Sequence, residues 1–216
     1  MQSVAFVLNG ASSSGKSSIV KAIQRLSEVP VLHASLDTFT DMFDWTAIGD
    51  DSVRAECHRV GVANFHATLP ILASSRFGVV VDHVFEQHAW FEACRDSLKT
   101  KRTHFIGVRC PLPVLEQREK ARGNRRVGLA RWQFERVHQE KPYALEVDTS
   151  ELSPDECAAR ILSFVSNAPK GLTRRQSQRP WLSRLVLRAA RAAPAMVVAH
   201  LERSAKKAAT LQIPLT

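Results

Sequence analysis

The sequence predicts an α/β fold, a parallel sheet covered by helices on both faces, on three observations. The first is Gly10-Ala11-Ser12-Ser13-Ser14-Gly15-Lys16-Ser17, the phosphate-loop pattern G-x-x-x-x-G-K-[ST], placed directly after the apolar run Val4 to Leu8. The second is the segment beyond it, where Ile19, Val20, Ile23 and Leu26 recur at helical spacing, so that the loop joins a strand to a helix. The third is the repetition of short apolar runs separated by helix-length segments, the pattern of parallel strands joined by crossover helices.

The elements follow in order. After Val4 to Leu8, strand-like runs occur at Pro30 to Leu36, Gly78 to Val81, Thr103 to Val108 and Ala144 to Val147. The mixed pattern of Asp51 to Ser75 reads as one or two helices, and Gln87 to Thr100 as another. Between Arg118 and Arg131 a dense guanidinium run bracketed by Gly123 and Gly128 reads as helix, short turn and second helix, the layout of a closing lid. Ser153-Pro154-Asp155-Glu156 is a helix start, with Ser153 as N-cap and Glu156 three residues on, and that helix closes the core near Asn167.

Composition bounds the function. The chain has 216 residues, 44% of them hydrophobic, enough for one well-buried domain with an appendage. Its boundaries are expected at 1–168 for the domain and 169–216 for a basic extension. Cys57, Cys94, Cys110 and Cys157 are scattered without metal-ligand spacing, which reads as free thiols and a cytoplasmic location. The first apolar run is short and enters the phosphate loop, so it reads as a core strand rather than a signal peptide. The formal charge of +9 would suggest nucleic acid, but residues 170–216 carry ten basic residues against one acid. The remainder is neutral, so no nucleic acid is expected for the core.

The loop chemistry follows from its residue types. Gly10 and Gly15 let the backbone curl, so that N–H groups from Ala11, Ser12, Ser13 and Ser14 through Ser18 face phosphate oxygens at the positive end of the following helix. Lys16 would reach the terminal phosphates, and Ser17 would offer its hydroxyl to Mg²⁺. In an open parallel sheet, ligands lie at the carboxyl ends of strands, which directs attention to Asp37, Asp82 and Asp148. Asp82, after Val79-Val80-Val81, has the position of an acid that holds a magnesium-bound water, and with Ser17 it is a candidate metal residue. Asp37 reads either as a base that accepts a hydroxyl proton or as a helix cap before Thr38-Phe39-Thr40-Asp41. Asp148-Thr149 is weaker and reads as a turn start.

Taken in order, Val7 to Val20, Val80-Val81-Asp82-His83-Val84-Phe85, Gly107-Val108-Arg109-Cys110, the lid run, Val137-His138, Tyr143 and Glu146-Val147-Asp148-Thr149 resemble chloramphenicol phosphotransferase over residues 3–165. The resemblance implies a P-loop NTPase fold with a five-stranded parallel sheet, and transfer of the ATP γ-phosphate to a small-molecule hydroxyl. It implies Lys16 and Ser17 as phosphate and magnesium groups, Asp37 as general base, and Arg118, Arg122 and Arg125 as lid cations. The stretch Thr38 to Arg76, with Phe39, Met42, Phe43, Trp45, His58 and Phe65, departs from the family pattern, and it would line the acceptor pocket. Rival functions are a toxin-type nucleotide-sugar kinase and a non-catalytic nucleotide-binding switch or adaptor.

In the extension, Leu182, Leu185, Ala189, Ala192 and Met196 share one helical face while Arg184, Arg188 and Arg191 share another. This reads as a docked helix or partly disordered segment. Contact with an anionic membrane surface or a protein partner is the functional alternative, and a homo-oligomer stays open.

Overall fold

A computed structural model describes residues 4–99, 102–123 and 127–167. The basic extension predicted over 169–216 lies outside the described residues.

The chain alternates as expected: β1 (Val4–Asn9), α1 (Lys16–Leu26), β2 (Val31–Ser35), α2 (Leu36–Thr40), α3 (Asp51–Ser74), β3 (Gly78–His83), α4 (His88–Ser97), β4 (Arg102–Arg109), α5 (Leu112–Arg122), α6 (Leu129–Phe134), β5 (Leu145–Asp148) and α7 (Pro154–Asn167). The five strands form one parallel sheet in the order β2-β3-β1-β4-β5. Connections from the central β1 run first to one side and then to the other, so the crevice for a ligand opens beyond its carboxyl end. That is where the phosphate loop begins.

Burial explains the strand sequences. All six residues of β1 are buried, as a parallel strand covered on both faces requires. Ala5, Val7, Val79 and Val81 face a cluster with Val62, Phe65 and Leu69 of α3 and Phe91 and Cys94 of α4. By the two-residue period, Phe6 and Leu8 face the opposite side, where Ile19 and Ile23 of α1 and Ile161 of α7 are also buried and α1 packs against α7.

The segment Asp51 to Ser74 forms a single helix despite Pro70 inside it, and the Asp50 carboxylate accepts from the Ser52 and Val53 amides at its start. The capping box at α7 is present: the Ser153 amide and hydroxyl both donate to the Glu156 carboxylate. Its return bond, from the Glu156 amide to the Ser153 hydroxyl, spans 3.3 Å. All four cysteines are free thiols. Among the described residues no helix is long and apolar enough to cross a membrane.

Candidate active site

The phosphate loop is held in shape by contacts that only particular residues permit. A Cβ on Gly10 would lie 2.5 Å from the Val108 carbonyl oxygen, so the loop leaves β1 against the backbone of β4 only because position 10 has no side chain. Gly15 and Ser13 both adopt left-handed backbone, with φ of 91° and 65°. For a serine this conformation is uncommon and costs about 1 kcal/mol. Ser13 and Ser14 also bury hydroxyl oxygens without a hydrogen-bond partner. Strain and buried orphan polar groups in one loop mark a place built for a polar ligand. The loop runs into α1, whose first turn holds no acidic residue to offset the helix dipole.

Charge converges at the loop. Lys16, 7% exposed, donates to the Gly10 and Ala11 carbonyls at 2.9 and 3.0 Å, and its ammonium lies 3.8 Å from an Asp82 oxygen. The Ser17 hydroxyl donates to the other Asp82 oxygen at 2.7 Å. His33 Nε2 lies 3.9 Å from that same oxygen. Burial pushes the Asp82 carboxyl up, but Lys16, His33 and Ser17 together outweigh it and hold the group below the usual carboxylate range.

Lys16, Ser17 and Asp82 line a cavity of about 510 Å³. The structure brings Ser12, Ser13, Gly15, Lys16, Ser17, Ser18, Asp37, Asp82, Arg118 and Arg122 of the expected residues to its wall. Gly10 packs against β4, while Ala11 and Ser14 are buried within the loop and do not reach the cavity wall. Arg125 lies outside the described residues. The cap alternative for Asp37 is corrected, since Ser35 occupies the N-cap position and Asp37 sits in the first turn of α2. Asp148 accepts from the Ser150 amide and hydroxyl, as a turn start does.

The lid is joined to the loop through side chains that the sequence did not announce. Arg118 donates to the Thr149 hydroxyl and carbonyl at 2.9 and 2.8 Å, and that hydroxyl donates to the Ser14 carbonyl at 2.9 Å. Buried Glu119 of α5 accepts from the Gly128 and Ala130 amides, both at 2.8 Å, and so fixes the start of α6 to α5. Gln133 of α6 also lines the cavity and meets the loop directly, its Oε1 accepting from the Ser12 amide at 2.6 Å. Beside the site, Asn9 ties strand ends together by donating to the Val137 carbonyl and the Tyr143 hydroxyl and accepting from the Phe85 amide.

The segment expected to line an acceptor pocket divides. Phe65 is wholly buried in the core, with Phe39 edge-on at 5.4 Å, and Met42 is exposed. Phe43 and Trp45 pair at 5.9 Å, and His58 packs on Trp90 at 5.8 Å. An unexpected imidazole pair lies beneath them: His66 and His83 place their Nε2 atoms 2.9 Å apart. Desolvation, with His66 adjacent, holds His83 well below the ordinary histidine range, and desolvation lowers His66 as well.

A parallel sheet in this order, with a phosphate loop at the end of its central strand and an arginine-bearing lid, defines a P-loop enzyme of the phosphotransferase class. The sequence model described as "Chloramphenicol phosphotransferase-like protein" matches residues 4–166, and the chain belongs to that family. No curated protein sequence matches the chain. Solved structures share the fold: a sugar kinase from Janibacter has 16% identity and a TM-score of 0.58, over 80% of this chain and 99% of that one. The APS kinase of Mycobacterium tuberculosis, solved with AMPPNP and APS, has 17% identity and a TM-score of 0.58, over 77% and 99%. The Deinococcus radiodurans tunicamycin resistance protein has 15% identity and a TM-score of 0.57, over 80% and 98%.

Proposed function

We propose that this chain transfers the γ-phosphate of ATP to a hydroxyl of a small molecule, a chloramphenicol-like antibiotic or a related metabolite. One observation carries the reading: Asp37 lines the same cavity as the strained loop, Lys16, Ser17 and Asp82. A carboxylate on the wall of a phosphate-binding cavity is the group type that takes the proton of an attacking hydroxyl, which supports this reading.

In the reaction, the acceptor O–H gives its proton to Asp37 as its oxygen bonds to the γ-phosphorus. The bond from that phosphorus to the β–γ bridging oxygen breaks, and ADP leaves. Lys16 and the loop amides other than that of Ser12, which donates to Gln133, bear the phosphate charge, and Arg118, Arg122 and Arg125 bring cations from the lid. The Ser17 hydroxyl and Asp82 carboxylate are a hard-oxygen pair suited to Mg²⁺, which takes few protein ligands and keeps its waters. When bound, the ion would offset charge on the phosphate oxygens.

The family resemblance implies acceptor contacts in residues 38–76, a segment that begins directly after Asp37 although none of its residues lines the cavity. Residues 1–168 are read as the kinase domain. The test is ADP release from Mg²⁺-ATP across a panel of hydroxylated antibiotics, chloramphenicol included, and metabolites, with the phosphorylated product identified by mass. Acceptor-stimulated release with an added phosphoryl group supports the reading. Nucleotide binding with no acceptor-dependent release from any compound counts against it and favours a switch.

A further inference from the structure

Gln133 is buried, 5% exposed, where α6 meets the phosphate loop and the segment beyond β3. Its Oε1 accepts from the Ser12 amide of the phosphate loop at 2.6 Å, and its Nε2 donates to a Glu86 carboxylate oxygen, beyond β3, at 2.7 Å. Both ends are chemically determined. A backbone N–H only donates and a carboxylate only accepts, so Glu86 dictates which way the amide faces and the carbonyl must point at Ser12.

The place where this happens is the transferring end of the loop. Lys16, the residue type that reaches the β- and γ-phosphates, has its ammonium on the carbonyls of Gly10 and Ala11, immediately before Ser12. The opposite arm, Gly15 to Ser18, opens α1, whose N-terminus suits the inner phosphates of a nucleotide. Gln133 therefore holds the arm whose carbonyls carry the Lys16 ammonium. It is also anchored to the lid, because α6 starts on the Glu119 carboxylate of α5.

We propose that Gln133 is a positioning residue, oriented by Glu86, that couples the lid to the γ-phosphate end of the loop. This rests on the kinase reading above. It contacts the loop amide rather than the reacting atoms, so its effect is on how the loop and lid receive the third phosphate. Gln133→Leu keeps the volume but leaves the Ser12 amide without its acceptor. Glu86→Gln keeps the hydrogen bond possible but removes the group that dictates the amide's orientation.

The experiment is calorimetric binding of Mg²⁺-AMPPNP and Mg²⁺-ADP to the full chain, with thermal melting of each variant alongside. Gln133→Leu is expected to weaken AMPPNP about five- to tenfold, the scale of one charge-influenced hydrogen bond, and ADP less than twofold. Glu86→Gln is expected to fall between wild type and Gln133→Leu, and it carries the same comparison if Gln133→Leu fails to fold. Equal loss for both nucleotides, or no loss for either, overturns the proposal while the kinase reading stands. A wild-type chain that binds neither nucleotide overturns both.

Discussion

Replacing Asp82 by asparagine removes the charge on which Lys16, Ser17 and His33 converge while keeping its shape. The carboxylate is buried, 3.8 Å from the Lys16 ammonium, and accepts from the Ser17 hydroxyl at 2.7 Å. Two unit charges at that distance interact by about 4 kcal/mol at an effective dielectric constant near 20. Part of this is offset by the desolvation that an amide no longer suffers, and an amide oxygen still accepts from Ser17. Breaking a buried ion pair by removing one partner nevertheless costs roughly 3–5 kcal/mol. We expect Asp82→Asn to lose about 3 kcal/mol without nucleotide, which lowers Tm by about 6–12 °C in a domain of this size. Phosphate should restore the missing negative charge beside Lys16, so saturating ATP without Mg²⁺ should close part of the gap. Urea unfolding followed by circular dichroism reads both quantities. A nucleotide-free variant within about 0.5 kcal/mol of wild type would refute the idea that Asp82 balances Lys16.

Acid should erase the difference between those two proteins. Because the folded Asp82 carboxyl titrates below its unfolded value, its stabilisation is complete above about pH 4 and is lost as pH falls through the folded value. Urea midpoints of wild type and Asp82→Asn should therefore converge as pH falls below about 4, and parallel curves would contradict this. Gly10→Ala forces a Cβ to within 2.5 Å of the Val108 carbonyl, a backbone atom of an inner strand that cannot rotate away. The variant should lose roughly 1–3 kcal/mol in unfolding, and its ADP affinity should fall at least tenfold by calorimetry. Glu119→Ala deprives the Gly128 and Ala130 amides of their acceptor, at roughly 1–3 kcal/mol for a buried group. Trypsin should then cut after the arginines between 118 and 131 about tenfold faster, with little change in the far-ultraviolet spectrum.

The phosphate loop, the strand that feeds it and the helix that leaves it were legible because each is a local pattern. Residues 4 to 26 specify their own geometry, and Asp82 could be found because an acid at a strand end has a known place in such a sheet. The Ser153–Glu156 capping box was legible for the same reason. What remained hidden was contact across long separations. Gln133 and Ser12 are 121 residues apart, and Thr149 and Ser14 are 135 apart, so no spacing rule joins them. Glu119 read as one acid in a basic run, although it is the acid that caps α6. Asp37 was ambiguous because a base after a strand and a helix cap occupy the same sequence neighbourhood. Only the position of Ser35 resolved which residue begins α2. The His66–His83 pair had no signal, since imidazoles meet across α3 and β3 only once the core has formed around Phe65 and Phe85.

The central claim, that Asp37 takes the proton of an acceptor hydroxyl beside a bound γ-phosphate, is tested most directly by Asp37→Asn. The measurement is acceptor-dependent ADP release with Mg²⁺-ATP, together with calorimetric binding of Mg²⁺-ADP to the same preparation. The account predicts nucleotide affinity within about twofold of wild type and a loss of turnover of roughly 10²–10⁴-fold, the contribution of a general base. Turnover retained within a few-fold, with an acceptor that the wild-type enzyme phosphorylates, would contradict it.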